Sequence, residues 1–120
     1  MMLPDTSVWI DHLRQSDTML ARLLEEQGIL MHPFVIGEMA LGNLRHRKQV
    51  LSEFVNLPLA AKASDAEVLV LIERHHLAGS GIGYIDAHLL ASASISGATL
   101  WTRDKRLHHV AHNLGLARLQ

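Results

Sequence analysis

Cysteine is absent from the chain, and with it go disulfide bridges, thiolate metal sites and cysteine nucleophiles. Aromatic residues are scarce, with two Trp, two Phe and one Tyr. Modules that read single-stranded nucleic acid by stacking need several exposed rings. Any contact with nucleic acid must therefore run through phosphate, metal and shape. Neither sign of charge is in excess: 11 Lys and Arg stand against 12 Asp and Glu, a net charge of -1. The isoelectric point near 6.7 is not that of a dedicated nucleic-acid binder. Long hydrophobic runs are missing as well, because Asp, Glu or Arg interrupts each one short of the roughly 20 residues that cross a bilayer. The opening Met1-Met2-Leu3-Pro4-Asp5 lacks the basic region, apolar stretch and cleavage site of a signal peptide. These absences predict a soluble, cytoplasmic protein without a membrane partner. Internal repeats and linkers are lacking too, and 120 residues suit one domain spanning 1–120.

What is present is a slight apolar lean, with mean hydropathy +0.13, and an alternation of short apolar runs with helical periodicities. Residues 1–4 read as a strand, followed by Asp5-Thr6-Ser7 as the start of a helix reaching about Leu13. Asp17 caps a second helix whose Met19, Leu20, Leu23 and Leu24 share a stripe, and Gly28 ends it. Residues 29–31 form a second expected strand, and Pro33 opens a helix to about Gly42. Further helices are expected over residues 47–55, from the capping box Ser64-Asp65-Ala66-Glu67 to about His76, over 84–96 and over 105–113. Residues 98–101 read as a strand and 115–119 as a last one. This pattern predicts an α/β sandwich around a mostly parallel sheet, where ligands gather beyond the carboxyl ends of the strands.

That rule points to Asp5 and Asp104, each close behind an expected strand. Most other acids have plain explanations as caps or solvent-facing charges, Asp11 and Asp17 among them. Glu38 and Asp86 do not. Glu38 has Phe34, Val35 and Leu41 as helical neighbours, and Asp86 has Ile82, Leu89, Leu90 and Ala93. A bare buried carboxylate costs several kcal/mol unless paired, protonated or bound to a cation. Taken singly, Asp5 and Asp104 read equally well as caps, Asp86 as a helix-start anion and Glu38 as a side chain reaching water from the stripe's edge. Gathered at one end of the sheet, four carboxylates would raise one another's pKa and call for cations. An all-oxygen set selects Mg²⁺ or Mn²⁺, and the chemistry suited to such a site is phosphodiester hydrolysis by an activated water. Thr6, Ser7 and Thr102 stand nearby as hydroxyl donors. Replacing any of the four acids by an uncharged amide is expected to leave folding intact or to raise stability without metal.

Four blocks carry a resemblance: Asp5-Thr6-Ser7-Val8-Trp9-Ile10; Phe34-Val35-Ile36-Gly37-Glu38; Gly83-Tyr84-Ile85-Asp86-Ala87-His88-Leu89-Leu90-Ala91; and Leu100-Trp101-Thr102-Arg103-Asp104-Lys105-Arg106-Leu107. In order and spacing the chain resembles the PIN-domain ribonucleases, specifically the VapC-type toxins of bacterial toxin–antitoxin pairs. The resemblance implies a three-layer α/β/α sandwich with a parallel sheet of about five strands. It also implies endonuclease cleavage of RNA, transfer or ribosomal RNA being common family targets, a homodimer, and a cognate VapB-type antitoxin in the active-site groove. It carries over Asp5, Glu38, Asp86 and Asp104 as catalytic and metal-holding acids, with Thr102 in support. One departure stands out: position 4 is usually aliphatic in the family, and here it is Pro4. Proline cannot donate to a ladder, and the family's first strand is central. Pairing that ended early, or a shifted sheet edge, would misplace Asp5, and a PIN scaffold that binds antitoxin or RNA without cleavage is the competing expectation.

Other features invite sharper readings that their surroundings do not support. His108 and His112 have a chelating separation, but His109 occupies the place of the Glu that a metalloprotease needs. Residues 79–83 lack the Lys-Ser/Thr of a phosphate-binding loop and follow a helix, so a plain loop is expected. His88 stands two residues from Asp86 and is a weak candidate for a phosphate contact. The clusters Arg45-His46-Arg47-Lys48, Arg74-His75-His76, and Arg103 with Lys105 and Arg106 can each meet phosphate or simply face solvent. A phospho-receiver switch fails, since residues 51–63 contain no Asp and no Lys follows Lys105.

Overall fold

The computed structural model describes residues 1–118. Among them are seven helices and two strands, six of the helices lying in sequence between the strands: β1 (Met2–Pro4), α1 (Thr6–Arg14), α2 (Thr18–Glu25), α3 (Pro33–Leu41), α4 (Arg47–Val55), α5 (Asp65–Arg74), α6 (Tyr84–Ser96), β2 (Thr99–Trp101) and α7 (Lys105–Asn113). The helices begin where local chemistry places them. Asp17 accepts from the Leu20 amide, and Ser64 and Glu67 form the reciprocal capping box. Gly97, with φ of +65°, closes α6 in the left-handed conformation that glycine adopts without strain.

The two strands pair in parallel, Met2 opposite Thr99, Leu3 opposite Leu100 and Pro4 opposite Trp101. The expected count of about five is not reached as strands. Isolated parallel bridges flank the pair instead, joining Met2 to Ile29, Met31 to Leu59 and Leu100 to Ala117. The expected strand at 29–31 is thus reduced to single bridges. The expected strand at 115–119 is a bridge at Ala117, with residue 119 outside the described residues. The segment at Leu59 carries no strand signal, since it lies just beyond a helix-breaking Pro58.

Pro4 does not interrupt the ladder to β2. Residues of β1 alternate in the direction of their backbone bonds. Thr99 donates to Met1 O and Asp5 donates to Trp101 O on the β2 side, whereas Met2 N donates to Gly28 O and Leu30 N to Met2 O on the other. By that alternation the donor Pro4 lacks faces the segment around residues 29–31. The cost falls on that weaker ladder, which stops after Leu30 and turns to Pro58 and Ala60 through Met31. Pairing therefore continues past Pro4, and Asp5 keeps its place in register.

Leu3, Leu100, Leu107, Leu89, Leu90, Ile29 and Met31 form the centre of the core. Residues 87–93 of α6 are all buried, so the middle of this helix is enclosed on every side while its ends reach the surface. Helix α6 packs on α5 and β2, α7 on β2, and α1 on β1 and α3. His32 ties α3 to α6. Its Nδ1 accepts from the Phe34 amide as the cap of α3, and its Nε2 lies 3.0 Å from Ser92 Oγ on α6. Ser92 Oγ also accepts from the Ala63 amide. Complete burial, with the electrostatic influence of His88 and Lys62 as lesser causes, pushes the His32 pKa down to about 4.

That shift gives a pH signature. An unfolded His titrates near 6.5, so between that value and about 4 the unfolded chain binds the extra proton. Stability supplied by neutral His32 is complete above pH 6.5 and is lost as pH falls through the window, to the extent of about 3 kcal/mol. The slope of melting temperature against pH from 6.5 to 4 is therefore expected to be shallower in His32→Asn than in the natural chain. Equal slopes would contradict a buried, neutral His32.

Candidate active site

The four singled-out acids come from four parts of the chain. Asp5 follows β1 and caps α1; Asp104 follows β2 and caps α7; Asp86 is in the first turn of α6; Glu38 is in the second half of α3. Three of them begin helices, so capping and clustering are not alternatives here. Asp5 Oδ1 accepts from the Ser7 and Val8 amides and from Ser7 Oγ, and its Oδ2 accepts from Thr102 Oγ1. Asp86 Oδ2 accepts from the Gly83 amide at 3.1 Å, and Asp104 Oδ1 from the Leu107 amide at 2.9 Å. Helix starts thereby hold one oxygen each of Asp86 and Asp104 and leave the other without a donor among the described residues. Glu38 receives no protein hydrogen bond on either oxygen among the described residues.

Thr102, buried like Asp5, joins the two strand ends. Its hydroxyl donates to Asp5 and accepts from the Asp104 amide at 3.0 Å. Ser7 adds a second link, donating to Asp5 and accepting from the Arg103 amide at 2.9 Å. Thr6 makes no such bond.

The acids lie close enough to govern one another's charge. Glu38 is exposed, against its expected place on the buried apolar stripe; partial loss of water around its carboxyl still raises its pKa, and the Asp86 and Asp5 carboxylates raise it further. Burial also raises that of Asp86 against the lowering bond from Gly83, with Asp5 and Asp104 adding to the rise. The repulsions connect all four. Glu38 also lines a cleft of about 800 Å³ between α1 and the α3–α4 connection, shared with Ile10, Leu13, Arg14, Leu44 and Arg45.

The donor set suits a hard divalent cation: carboxylate oxygens, several free of protein donors, carrying uncompensated negative charge. Among the described residues no three His, Asp or Glu side chains stand close enough to hold one ion. The acids are within electrostatic reach of one another without forming a ready-made ligand shell.

Several sequence readings change. His88 is buried, its Nε2 is 3.0 Å from Asp65 Oδ1, and so it does not approach phosphate. His108 and His112 only stack, with ring centroids 6.5 Å apart. Arg103 is not a free cation, because it donates to Asp11 Oδ2 at 3.1 Å and Asp17 Oδ2 at 2.7 Å, clamping α1 and α2 to the β2 end. Arg47 is turned onto the Gly42 and Ala40 carbonyls at the end of α3. His32 went unnoticed in the sequence, its one signal being its position immediately before Pro33 at a helix start.

A family model described as PIN domain matches residues 2–113. Ribonuclease VapC32 of Mycobacterium tuberculosis is 47% identical to this chain over 118 residues, covering 98% of the chain and 95% of that protein. Among solved structures, FitAB bound to the IR36 DNA fragment superposes with a TM-score of 0.68 at 20% identity, covering 100% of this chain and 98% of that one. FitAcB from Neisseria gonorrhoeae gives 0.64 at 22% identity, with 93% and 94% covered. At such identities the superpositions speak for the fold alone.

The hydrogen bonds divide the acids by the outcome of neutralisation. A raised carboxyl pKa means that stability is withheld above the folded pKa and regained as pH falls through it. Glu38→Gln and Asp86→Asn are therefore expected to raise the melting temperature at neutral pH in EDTA, the latter keeping an oxygen for Gly83. Asp5→Asn departs from the sequence expectation. The new amide would present a donor to Thr102 Oγ1 and leave a buried hydroxyl without its acceptor, a loss of about 1–3 kcal/mol. Melts of the three variants check this, and a stabilised Asp5→Asn would refute it.

Proposed function

The chain belongs to the PIN domain family, and from that premise we propose that it is an endoribonuclease, the toxin of a type II toxin–antitoxin pair, restrained by a cognate VapB-type antitoxin. The relative that covers nearly the whole chain at 47% identity is named a ribonuclease and a VapC protein, and its name supports this reading. The observation that supports the chemistry is the repulsion that links Asp5, behind β1, Asp104, behind β2, Asp86, in the first turn of α6, and Glu38, in the second half of α3.

Under this reading Asp5, Glu38, Asp86 and Asp104 hold Mg²⁺ or Mn²⁺, which when bound activates water and offsets charge on the scissile phosphate. The rest is the work of the chain. Thr102 and Ser7 fix Asp5 against rotation, and the helix starts fix Asp86 and Asp104, so the donor-free oxygens are presented without a large entropy loss. Glu38 has no such restraint and adjusts to what binds. The RNA backbone is the anion that such a neutralised site attracts, transfer or ribosomal RNA being the expected targets.

The family sheet of about five strands corresponds in this proposal to the two strands plus the bridged segments at Ile29–Met31, Leu59 and Ala117, sandwiched in three layers over the single domain 1–120. The cleft beside Glu38 combines apolar Ile10, Leu13 and Leu44 with Arg14 and Arg45, a lining suited to an antitoxin segment carrying aliphatic and acidic side chains. Exposed Leu69 and Val70 on α5 and Ile95 on α6 provide an apolar face for a homodimer. Among the described residues no helix is long and apolar enough to cross a membrane. Pro4 is the best argument for an inactive scaffold, and the pairing of Pro4 with Trp101 and of the Asp5 amide with Trp101 O weighs against it.

Purified protein free of antitoxin is expected to cut total cellular RNA with Mg²⁺ or Mn²⁺ and to stop with EDTA. Asp86→Asn and Asp104→Asn, both expected to fold, should lower the rate by at least about a hundredfold, the scale of losing a group that acts at the reacting centre. Protein inert on that RNA with both metals would sink the reading.

A further inference from the structure

Three features remain unused by the site above. The first is a cleft of about 420 Å³ between the end of α5 and the outer face of α7, whose lining includes His75, His76, Ser80, Lys105, Arg106 and His109. None of its lining side chains is acidic, although acids slightly outnumber Lys and Arg in the whole chain. The second is Ser80, which lines that cleft and whose Oγ is buried beneath the surface without a hydrogen-bond partner among the described residues. The third is the fit of Arg106 over the loop. Gly81 has φ of +87°, and a Cβ there would lie 2.9 Å from Arg106 Cδ and 3.1 Å from Nη1. Only glycine allows the guanidinium to lie this close to the backbone.

The cleft and the acidic centre are joined by two short stretches of chain. Lys105 and Arg106 directly follow Asp104, and the loop that carries Ser80 and Gly81 ends at Gly83, whose amide binds Asp86. Arg and Lys side chains, imidazoles and an unsatisfied hydroxyl together make a donor-rich, acceptor-poor pocket of the kind that a phosphate fills. It adjoins a centre that repels anions unless cations are present.

We propose that this cleft is a second phosphate subsite, which holds a backbone phosphate of the same RNA strand flanking the one at the acidic centre. The inference rests on the ribonuclease reading. Lys105 and Arg106 supply the charge, His75, His76 and His109 border it, and a rotation of the Ser80 side chain brings its unpaired hydroxyl to a phosphate oxygen. Because the contact is to the backbone, it adds affinity across sequences and does not choose the cut site. It also gives a protein with a net charge of -1 a local route to a polyanion.

The test is fluorescence anisotropy of a labelled single-stranded RNA in EDTA, where binding is read without cleavage. Lys105→Gln/Arg106→Gln is expected to weaken binding about tenfold and to flatten the dependence of log K on log salt by about 1–2 units. Lys105→Gln alone, an exposed change that leaves Arg106 on Gly81, should weaken it about threefold and guards against a misfolded double variant. With Mg²⁺ both variants should raise KM and leave kcat within about twofold. Inorganic phosphate forms the second arm. Saturation by phosphate with unchanged RNA affinity in the variants would identify a free-anion site and overturn the proposal. Unchanged affinity and salt slope in both variants would also overturn it. Binding that depends on Lys105 and Arg106 in a protein that cleaves nothing would instead defeat the nuclease reading and leave the subsite standing.

Discussion

The hydroxyl of Thr102, caught between the Asp5 carboxylate and the Asp104 amide, is the junction on which the rest of the site depends. It joins positions 97 residues apart. It also stands where the two paired strands stop and two helices start, so the register of the sheet decides where the acids stand. The Asp5 amide bonding to Trp101 and the Ser7 hydroxyl accepting from Arg103 repeat the link on either side. Arg103 then extends it outward to α1 and α2 through Asp11 and Asp17. An exposed ion pair of this kind contributes little to stability, but here it orients the segment immediately before Asp104.

Helix termini resolve the conflict between fold and charge. A carboxylate in the first turn or at the cap gains from the unpaired amides there, so Asp5, Asp86 and Asp104 each offset part of the cost of sitting near one another. The offset is unequal. Asp86 retains a raised pKa in spite of its bond to Gly83, and Glu38, far from any helix start, has no offset. The residual repulsion is what makes the site receptive to a cation. The buried imidazole of His32 works on the supporting side, holding α3, and so Glu38, against the enclosed helix that carries Asp86.

The helices were legible from sequence because their signals are local: Asp17, the Ser64–Glu67 box, Pro33 and Gly97 act within one turn of themselves. The acids stood out for a related reason, since Glu38 and Asp86 fell on apolar stripes. Less legible was anything decided between distant segments. Residues 29–31 have the composition of a strand, but the donor missing at Pro4 shortens their ladder. Leu59 pairs with Met31 without any strand pattern of its own. Arg103 read as a free cation because its partners, Asp11 and Asp17, lie more than 80 positions away. His32 read as one of nine histidines because the serine that engages it is on α6. Capping and metal holding were weighed as rivals, whereas in three dimensions one oxygen of Asp86 or Asp104 serves the helix and the other is left over.

The parallel pairing of β1 with β2 also bears on synthesis. A growing chain carries Asp5 from its outset, but the strand that seats it and Thr102 that pins it are made only after the whole of α6 has been translated. Until then β1 lacks its neighbour on that side, and long-range parallel pairing of this kind closes slowly. A ribosome making this protein therefore holds a nascent chain whose acids are scattered, and the assembled centre first exists after residue 104 has cleared the exit tunnel.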